Sequence, residues 1–284
     1  MTSTLLVARE TTNRVARTFS LACRLLPPAI RDDVYLLYLV FRTLDDLVDE
    51  QQADAEARVE AVRGWARGEP GAASPEVAIL EELSSRHALP LDALDDFCAG
   101  MRQDLEGASF ETEPDVDEYC YRVAGTVGLV MASVLGTVRI DRARPAAAAL
   151  GMAMQRTNIL RDIDEDAANG RVYIARETIE RFGSLQPGAR EPLLRDQIPR
   201  ADALYERGLA GIGELRQGNR AIAAAAAMYR ELLRQLEREG YGARAGRAVV
   251  PRSRKLRVAA QAAWRAPIAA APPARGAEVE AEPA

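Results

Sequence analysis

Two acidic stretches decide how this chain is interpreted: Asp45-Asp46-Leu47-Val48-Asp49 and Asn158-Ile159-Leu160-Arg161-Asp162-Ile163-Asp164-Glu165-Asp166. Because an α-helix advances by about 100° per residue, Asp45 and Asp49 fall on one helix face, and so do Asn158, Asp162 and Asp166. Both faces are otherwise apolar, and an unpaired carboxylate on such a face is costly. These positions therefore indicate a shared cation, and oxygen ligands of this kind favour Mg²⁺.

Hydrophobic residues recur at helical spacing along most of the chain, and no alternating strand pattern stands out. The predicted helices cover Pro28 to Val48, 53–66, 75–86, Pro90 to Leu105, 116–140, Pro145 to about Asn169, 200–217, 219–238 and 252–265. Residues 171–198 are predicted to be mixed, with turns. We expect an all-α protein with one helical domain over residues 1–266 and, by its Ala, Pro, Gly and Glu content, a disordered tail over residues 267–284.

The composition excludes several functional classes. The chain carries 37 basic and 42 acidic side chains, a net charge of −5, and the two are interspersed, so nucleic acid is not an expected partner. The single histidine, His87, leaves no multi-histidine metal site and is expected at the surface. The three cysteines lack any CxxC pairing and are expected to be buried thiols in a reducing cytosol. No targeting segment or spanning helix is recognised, so we expect a cytoplasmic protein, with peripheral contact at the inner membrane face left open.

Two other interpretations of the acidic stretches are weaker. Acid clusters often form solvated helix faces, but here two clusters are each in phase with an apolar stripe. Asp162, Asp164 and Asp166 also have the opening spacing of an EF-hand loop. That loop fails because Ala167 stands where it needs glycine and Tyr173 where it needs glutamate.

Angular position separates the members of each stretch, and Asp46 and Asp164 lie off the shared faces. The polar residues on the two faces are Tyr38, Arg42, Asp45 and Asp49 on the first helix and Gln155, Asn158, Asp162 and Asp166 on the second. Magnesium held by one or two carboxylates typically binds substrate phosphates, and the chain has no P-loop sequence. A diphosphate that carries a long hydrocarbon fits an acidic mouth with an apolar interior.

Several ordered motifs resemble the squalene/phytoene synthase family over roughly residues 13–257. They are Arg17-Thr18-Phe19 with Leu25-Leu26-Pro27; Tyr38, Arg42, Asp45, Asp46 and Asp49; the run from Tyr119 to Gly128; Gln155, Asn158-Ile159-Leu160-Arg161-Asp162 and Asp166; and Gly170-Arg171-Val172-Tyr173. The resemblance implies an isoprenoid-synthase helical bundle with a central active-site cavity. It also implies chemistry on farnesyl or geranylgeranyl diphosphate, with two or three Mg²⁺ ions bound together with the diphosphate.

The resemblance further implies roles for individual residues. The metal-binding positions would be Asp45, Asp49, Asn158, Asp162 and Asp166, and the catalytic set would be the same four aspartates with Tyr229. The substrate-binding positions would be Thr18, Phe19, Tyr38, Arg42, Tyr119, Val123, Gln155, Asn158, Arg161, Arg171 and Arg247. Tyr119, Val123 and Thr126 share a face of the predicted helix, which suits either a hydrocarbon tunnel or ordinary core packing.

The leading hypothesis is head-to-head condensation of two prenyl diphosphates through a cyclopropyl diphosphate, which gives phytoene, dehydrosqualene or squalene. Phytoene is preferred because no nicotinamide-binding fingerprint is visible, although NADPH use, substrate length and oligomeric state stay open. A terpene cyclase acting on one prenyl diphosphate is the alternative, because Ile174-Ala175 replaces the family's usual Leu-Pro and the bulky Phe41 lies beside the metal helix. A non-catalytic assembly factor is a third hypothesis.

Overall fold

The computed structural model describes residues 3–69 and 73–267, without the side chain of Arg17. Within these ranges the regular structure is helical, apart from one isolated antiparallel bridge between Thr137 and Leu215. The α-helices are α1 (Ser3–Val15), α2 (Arg17–Cys23), α3 (Pro28–Asp49), α4 (Ala55–Ala66), α5 (Pro75–Ser84), α6 (Leu91–Leu105), α7 (Glu113–Cys120), α8 (Thr126–Leu135), α9 (Ile140–Ala168), α10 (Arg176–Phe182), α11 (Glu191–Ala210), α12 (Asn219–Arg238) and α13 (Arg252–Arg265). The all-α prediction is confirmed. The predicted tail, residues 267–284, lies outside the described residues apart from Pro267.

The helix that carries the first acidic stretch is the one predicted. Pro28 occupies the first position of α3, where its missing N–H costs nothing and its fixed φ suits a helix start. One side of α3 is buried in the core, including Val34, Leu37 and Leu44, so the helix is fixed along its length. The predicted limits of α12 and α13 also match the structure.

The single helix predicted over residues 116–140 is wrong. The structure contains α7, then a π-helical turn over Tyr121–Gly125, then α8, which ends at Leu135. Gly136 follows with φ +72°, a left-handed conformation that glycine adopts without strain. Its carbonyl accepts a hydrogen bond from the Arg216 backbone N–H at 2.9 Å, so a tertiary contact, invisible in the apolar run, ends the helix.

Two helices begin earlier than predicted because they continue through a proline. α9 begins at Ile140 rather than after Pro145, and α11 begins at Glu191 rather than at residue 200, with Pro199 inside it. An internal proline removes one backbone hydrogen bond and costs roughly 3 kcal/mol. The long contact between α9 and α11 offsets this cost, since α11 buries a full apolar face there.

Glycine allows α9 to lie directly against the segment that precedes it. A Cβ on Gly151 would stand 2.0 Å from the Ala124 carbonyl oxygen, and one on Gly128 would stand 2.3 Å from the Ala147 carbonyl oxygen. Neither distance is compatible with a side chain, so the two backbones are in van der Waals contact. The glycines of this apolar segment are therefore explained by close helix packing.

The structure contradicts the prediction for the single histidine and confirms the predicted burial of the cysteines. His87 is not a surface residue as predicted: its side chain is 13% exposed, and its Nε2 lies 2.7 Å from an oxygen of Asp33, a mostly buried carboxylate of α3 that needs a partner. Cys23, Cys98 and Cys120 are free and buried as predicted, and burial raises the pKa of each thiol to about 12.

Along the described part of the chain, no helix combines the length and apolar character that crossing a bilayer requires.

Candidate active site

An apolar cavity of about 330 Å³ lies between the helices, and its wall comes mainly from α2, α3, α6, α8, α9, α11 and α12. Small and apolar side chains form most of this wall, including Val127, Met131, Leu150 and Ile222. Polar groups gather where α3 and α9 contribute. The predicted site residues in the wall are Phe19, Tyr38, Arg42, Asp45, Val123, Gln155, Asn158 and Tyr229.

The first acidic stretch ends α3 beside an arginine. Arg42 donates a hydrogen bond to Asp45 at 2.9 Å and a second to Asp46, so one guanidinium holds both carboxylates. Asp45 lines the cavity, and 45% of its side chain is accessible there. Desolvation, helped by the nearby Asp49 carboxylate, raises the pKa of Asp45 to about 7 despite Arg42.

The second acidic stretch ends α9 in a similar arrangement. Arg161 donates to Asp162 through Nε at 2.8 Å and Nη2 at 2.5 Å, and Arg247 places its Nε 2.7 Å from the same carboxylate. Burial raises the pKa of Asp166 to about 7, and the carboxylates of Asp162 and, more weakly, Asp49 add to this rise. Asp49, which belongs to the first acidic stretch, is thus one of the charged groups that act on Asp166 in the second.

Arg171 links the two helices directly. It follows the end of α9, donates a hydrogen bond to the Asp49 carboxylate, and donates another to the Asp49 carbonyl oxygen at 3.2 Å. Asp164, which the angular count places off the site, instead makes a two-pronged ion pair with the buried Arg190 at 2.7 and 2.8 Å. It thus anchors the fold behind the site.

The donor set fits a divalent cation bound with a diphosphate. The Oδ1 atom of Asn158 is buried, has no hydrogen-bond partner within the described residues, and belongs to a side chain in the cavity wall. Carboxylate and amide oxygens are the ligands that Mg²⁺ prefers. No cluster of three or more His, Cys, Asp or Glu side chains able to hold a metal by itself occurs in residues 3–69 and 73–267. An ion held by these side chains would therefore need further ligands, such as phosphate oxygens.

A second, basic pocket of about 250 Å³ adjoins the cavity, and Tyr229 lines both. Its cationic side chains are Arg161, Arg247 and Lys255, and Lys255 donates a hydrogen bond to Thr18 Oγ1 at 3.1 Å. Lys255 was not predicted as a site residue, since its helix shows only a basic segment in the sequence. Three cations around one small pocket suit an anionic group such as a diphosphate.

Tyr119 packs in the core instead of lining the cavity, which is one of the two alternatives that the sequence leaves open. It is 3% exposed, stacks on Tyr173 with ring centroids 5.3 Å apart, and is absent from the cavity wall. The π-turn inserts an extra residue between α7 and α8, so Tyr119 and Val123 no longer share a face. Thr126 is likewise fully buried, and its hydroxyl bonds the Arg122 carbonyl.

Asp104 is a site-adjacent acid that the sequence analysis missed. It accepts hydrogen bonds from the hydroxyls of Tyr119 and Tyr173 at 3.0 and 3.1 Å, and burial raises its pKa to about 6 despite those bonds. The sequence contains the signal that identified the other acids, which is a carboxylate on an otherwise apolar helix face. Asp104 lies on the same face of α6 as the buried Phe97 and Met101.

Aromatic rings border the cavity near the acids. Phe19 and Tyr38 stack with centroids 5.2 Å apart, and Phe41 meets Phe97 edge to face at 4.7 Å. All four residues are in the cavity wall. Such ring faces stabilise a nearby cation by roughly 0.5–2 kcal/mol each when water is excluded.

Comparison with known proteins agrees with this arrangement. The family model described as squalene/phytoene synthase matches residues 12–254. A 15-cis-phytoene synthase from Synechocystis sp. is 35% identical over 276 residues, covering 88% of this chain and 81% of the relative, and a phytoene synthase from Thermus thermophilus is 38% identical over 239 residues, covering 79% and 80%.

Solved structures give the same result. A dehydrosqualene synthase in complex with ligand superposes with a TM-score of 0.82 at 27% identity, covering 91% of this chain and 95% of that one. A squalene synthase from Alicyclobacillus acidocaldarius gives 0.72 at 25% identity, covering 84% and 95%. The chain belongs to the squalene/phytoene synthase family.

Proposed function

We propose that this protein condenses two molecules of geranylgeranyl diphosphate head to head, through a cyclopropyl diphosphate, to phytoene. The observation that carries the proposal is the apolar cavity whose wall includes Asp45 from α3 and Asn158 from α9, the two helices that carry the acidic stretches. The choice of a C20 substrate is supported by relatives named phytoene synthases that are 31–38% identical to this chain. Farnesyl diphosphate is the competing substrate.

The chain's own residues would bind and shelter the reacting groups. Arg42, Arg161 and Arg171 are already directed at the acidic sites, where they would donate hydrogen bonds to diphosphate oxygens. The apolar wall would keep water from the allylic cation left by departure of the diphosphate. The rings of Phe19 and Tyr38 would stabilise its positive charge.

Magnesium is part of the proposal as a cofactor. Asp45 and Asp49 on α3, and Asn158, Asp162 and Asp166 on α9, would hold the ions together with the diphosphate. Bound there, Mg²⁺ would neutralise the charge that develops on the leaving diphosphate. The unpartnered Asn158 oxygen supports this assignment.

The proposal extends to the other predicted substrate contacts, the limits of the domain and the location of the protein. Tyr229 and Gln155, both in the cavity wall, would contact the substrate, and Thr18 and Arg247 would do so from the basic pocket. Residues 1–266 would form the catalytic domain, located in the cytoplasm with peripheral contact at the inner membrane face. For phytoene as the product, the reaction would end with loss of a proton, which the released diphosphate or a tyrosine would accept, and no hydride donor would be consumed.

Product analysis tests the proposal. Purified protein is incubated with Mg²⁺ and either geranylgeranyl or farnesyl diphosphate, with and without NADPH, and the extract is analysed by liquid chromatography and mass spectrometry. Phytoene from the C20 substrate without NADPH is the expected product. A cyclic hydrocarbon made from one substrate molecule would contradict condensation, and the comparisons give the cyclase alternative no support. The assembly-factor hypothesis predicts no product at all.

The acidic stretch supplies a matched pair of variants for the same assay. Asp45→Asn removes a cavity-lining carboxylate, and we expect it to lower kcat by about 100-fold or more because the leaving group loses its electrostatic stabilisation. Asp46→Asn alters the adjacent acid, which is outside the cavity wall, and kcat should stay within about threefold. Equal losses in the two variants would contradict the angular assignment.

A further inference from the structure

Basic charge is segregated at the C-terminal end of the described chain. Residues 240–267 contain seven basic side chains and no acidic one, whereas the rest of the sequence contains 30 basic and 42 acidic side chains. A positive segment on a protein of net charge −5 is complementary to an anionic surface. The segment includes α13.

The outer face of α13 combines this charge with exposed apolar side chains. Leu256, Ala260 and Trp264 are spaced four residues apart and therefore lie on one face. Leu256 is 54% exposed and Trp264 is 88% exposed, and Val249, just before the helix, is 69% exposed. A tryptophan as exposed as Trp264 is unusual, because removing its large apolar ring from water lowers the free energy.

The cations beside this apolar stripe are available to a partner. Arg252, Arg257 and Arg265 form no ion pair with any carboxylate in residues 3–69 and 73–267, unlike Arg254, which lies 3.7 Å from Glu231. The opposite face of α13 is occupied, since Ala259 is buried against Ala224 and Met228 of α12. Only the outer face is open.

We propose that the outer face of α13, defined by Arg252, Leu256, Arg257, Ala260, Trp264 and Arg265, docks on the surface of an anionic lipid bilayer. Basic side chains attract anionic headgroups, while tryptophan and leucine enter the boundary between headgroups and acyl chains. The same segment also supplies Val249, Val250 and Lys255 to the basic pocket next to the cavity. Docking therefore places the cavity region close to the apolar interior of the bilayer, into which a hydrocarbon product could pass. The benefit of this placement rests on the proposed function.

Sedimentation with vesicles tests the docking face on the full chain without substrate. We expect binding to phosphatidylcholine vesicles that contain phosphatidylglycerol, weaker binding as salt is raised, and little binding to phosphatidylcholine alone. On binding, tryptophan fluorescence should shift to the blue, and Trp264→Phe should abolish most of that shift. The other tryptophan, Trp65, is partly buried against the core and provides the unchanged background.

A matched pair of double variants isolates the face. Leu256→Ser with Arg257→Glu should lower the partition coefficient for anionic vesicles by about tenfold or more. Leu91→Ser with Arg181→Glu removes one exposed leucine and reverses one exposed arginine on other helices, and should bind like the wild type. Equal loss in both variants would overturn the proposal, as would absence of vesicle binding by the wild type, which would favour an acidic protein as the partner. Because these measurements contain no prenyl diphosphate, their failure leaves condensation activity, assayed in detergent, to be judged separately.

Discussion

Arg171 donates hydrogen bonds to both the carboxylate and the carbonyl oxygen of Asp49, and so joins the segment after α9 to the last turn of α3. The two acidic stretches are more than a hundred residues apart in sequence, and this contact brings their helix ends together. Tyr173, two residues after Arg171, bonds Asp104 on α6. The short segment between Arg171 and Tyr173 is therefore fixed at both ends by acids.

Removal of the Arg171 guanidinium should weaken diphosphate binding. Since a hydrogen bond to a charged group contributes roughly 1.5–3 kcal/mol, Arg171→Met should lower kcat/KM by about 10- to 100-fold in the product assay. Arg176→Met is the control, because Arg176 is exposed and pairs with Glu111 and Glu180 away from the cavity. An unchanged kcat/KM for Arg171→Met would remove this residue from the site.

The raised pKa of Asp45 predicts a pH-dependent stability. Its ordinary pKa is 3.8, and the fold raises it to about 7, so the folded state binds more protons than the unfolded state between these values. The contribution of Asp45 to the free energy of unfolding therefore becomes less favourable as pH rises from about 4 to 7. Asp45→Asn abolishes this dependence, and its melting temperature relative to the wild type should rise from pH 5 to pH 8 in metal-free buffer. A difference that is constant with pH would refute the assignment.

The close contact of α9 with the preceding segment predicts opposite effects for two glycine substitutions. Gly151→Ala forces a methyl group to within 2.0 Å of the Ala124 carbonyl oxygen, and we expect the free energy of unfolding to fall by about 1–3 kcal/mol or more. Gly64→Ala, in the interior of α4, meets nothing closer than 4.0 Å and should stabilise the protein by about 0.5–1 kcal/mol. Urea unfolding measures both, and destabilisation by Gly64→Ala would contradict the packing description.

The hydrogen bond from Tyr173 to Asp104 should contribute measurably to stability. Tyr173→Phe removes one donor from a buried carboxylate, and should lower the free energy of unfolding by about 1 kcal/mol, or the melting temperature by about 2–4 °C. Tyr241→Phe is the control, since the Tyr241 hydroxyl has no hydrogen-bond partner in the described ranges. Calorimetry that gave equal shifts for the two variants would argue against a structural role for this bond.

The fold class was readable because apolar periodicity reports which helix face is buried, and α3, α12 and α13 have the limits predicted from it. Periodicity does not report where a tertiary contact ends a helix, as at Gly136, or where packing lets one continue, as at Pro199. Within the site, Asp45 and Asn158, which were selected by their angular position on the helices, lie in the cavity wall. It left out Lys255, because no local pattern shows that α13 folds back beside α2.

The π-turn at Tyr121–Gly125 also bears on how this scaffold can change over evolutionary time. One surplus residue lets α7 present Tyr119 to Asp104 while α8 presents Val127 and Met131 to the cavity. A single-residue deletion in the turn would rotate α8 by roughly 100° relative to α7 and turn a different set of its side chains toward the cavity. Insertions and deletions at this turn are therefore a route to new cavity shapes that leaves every acidic residue in place.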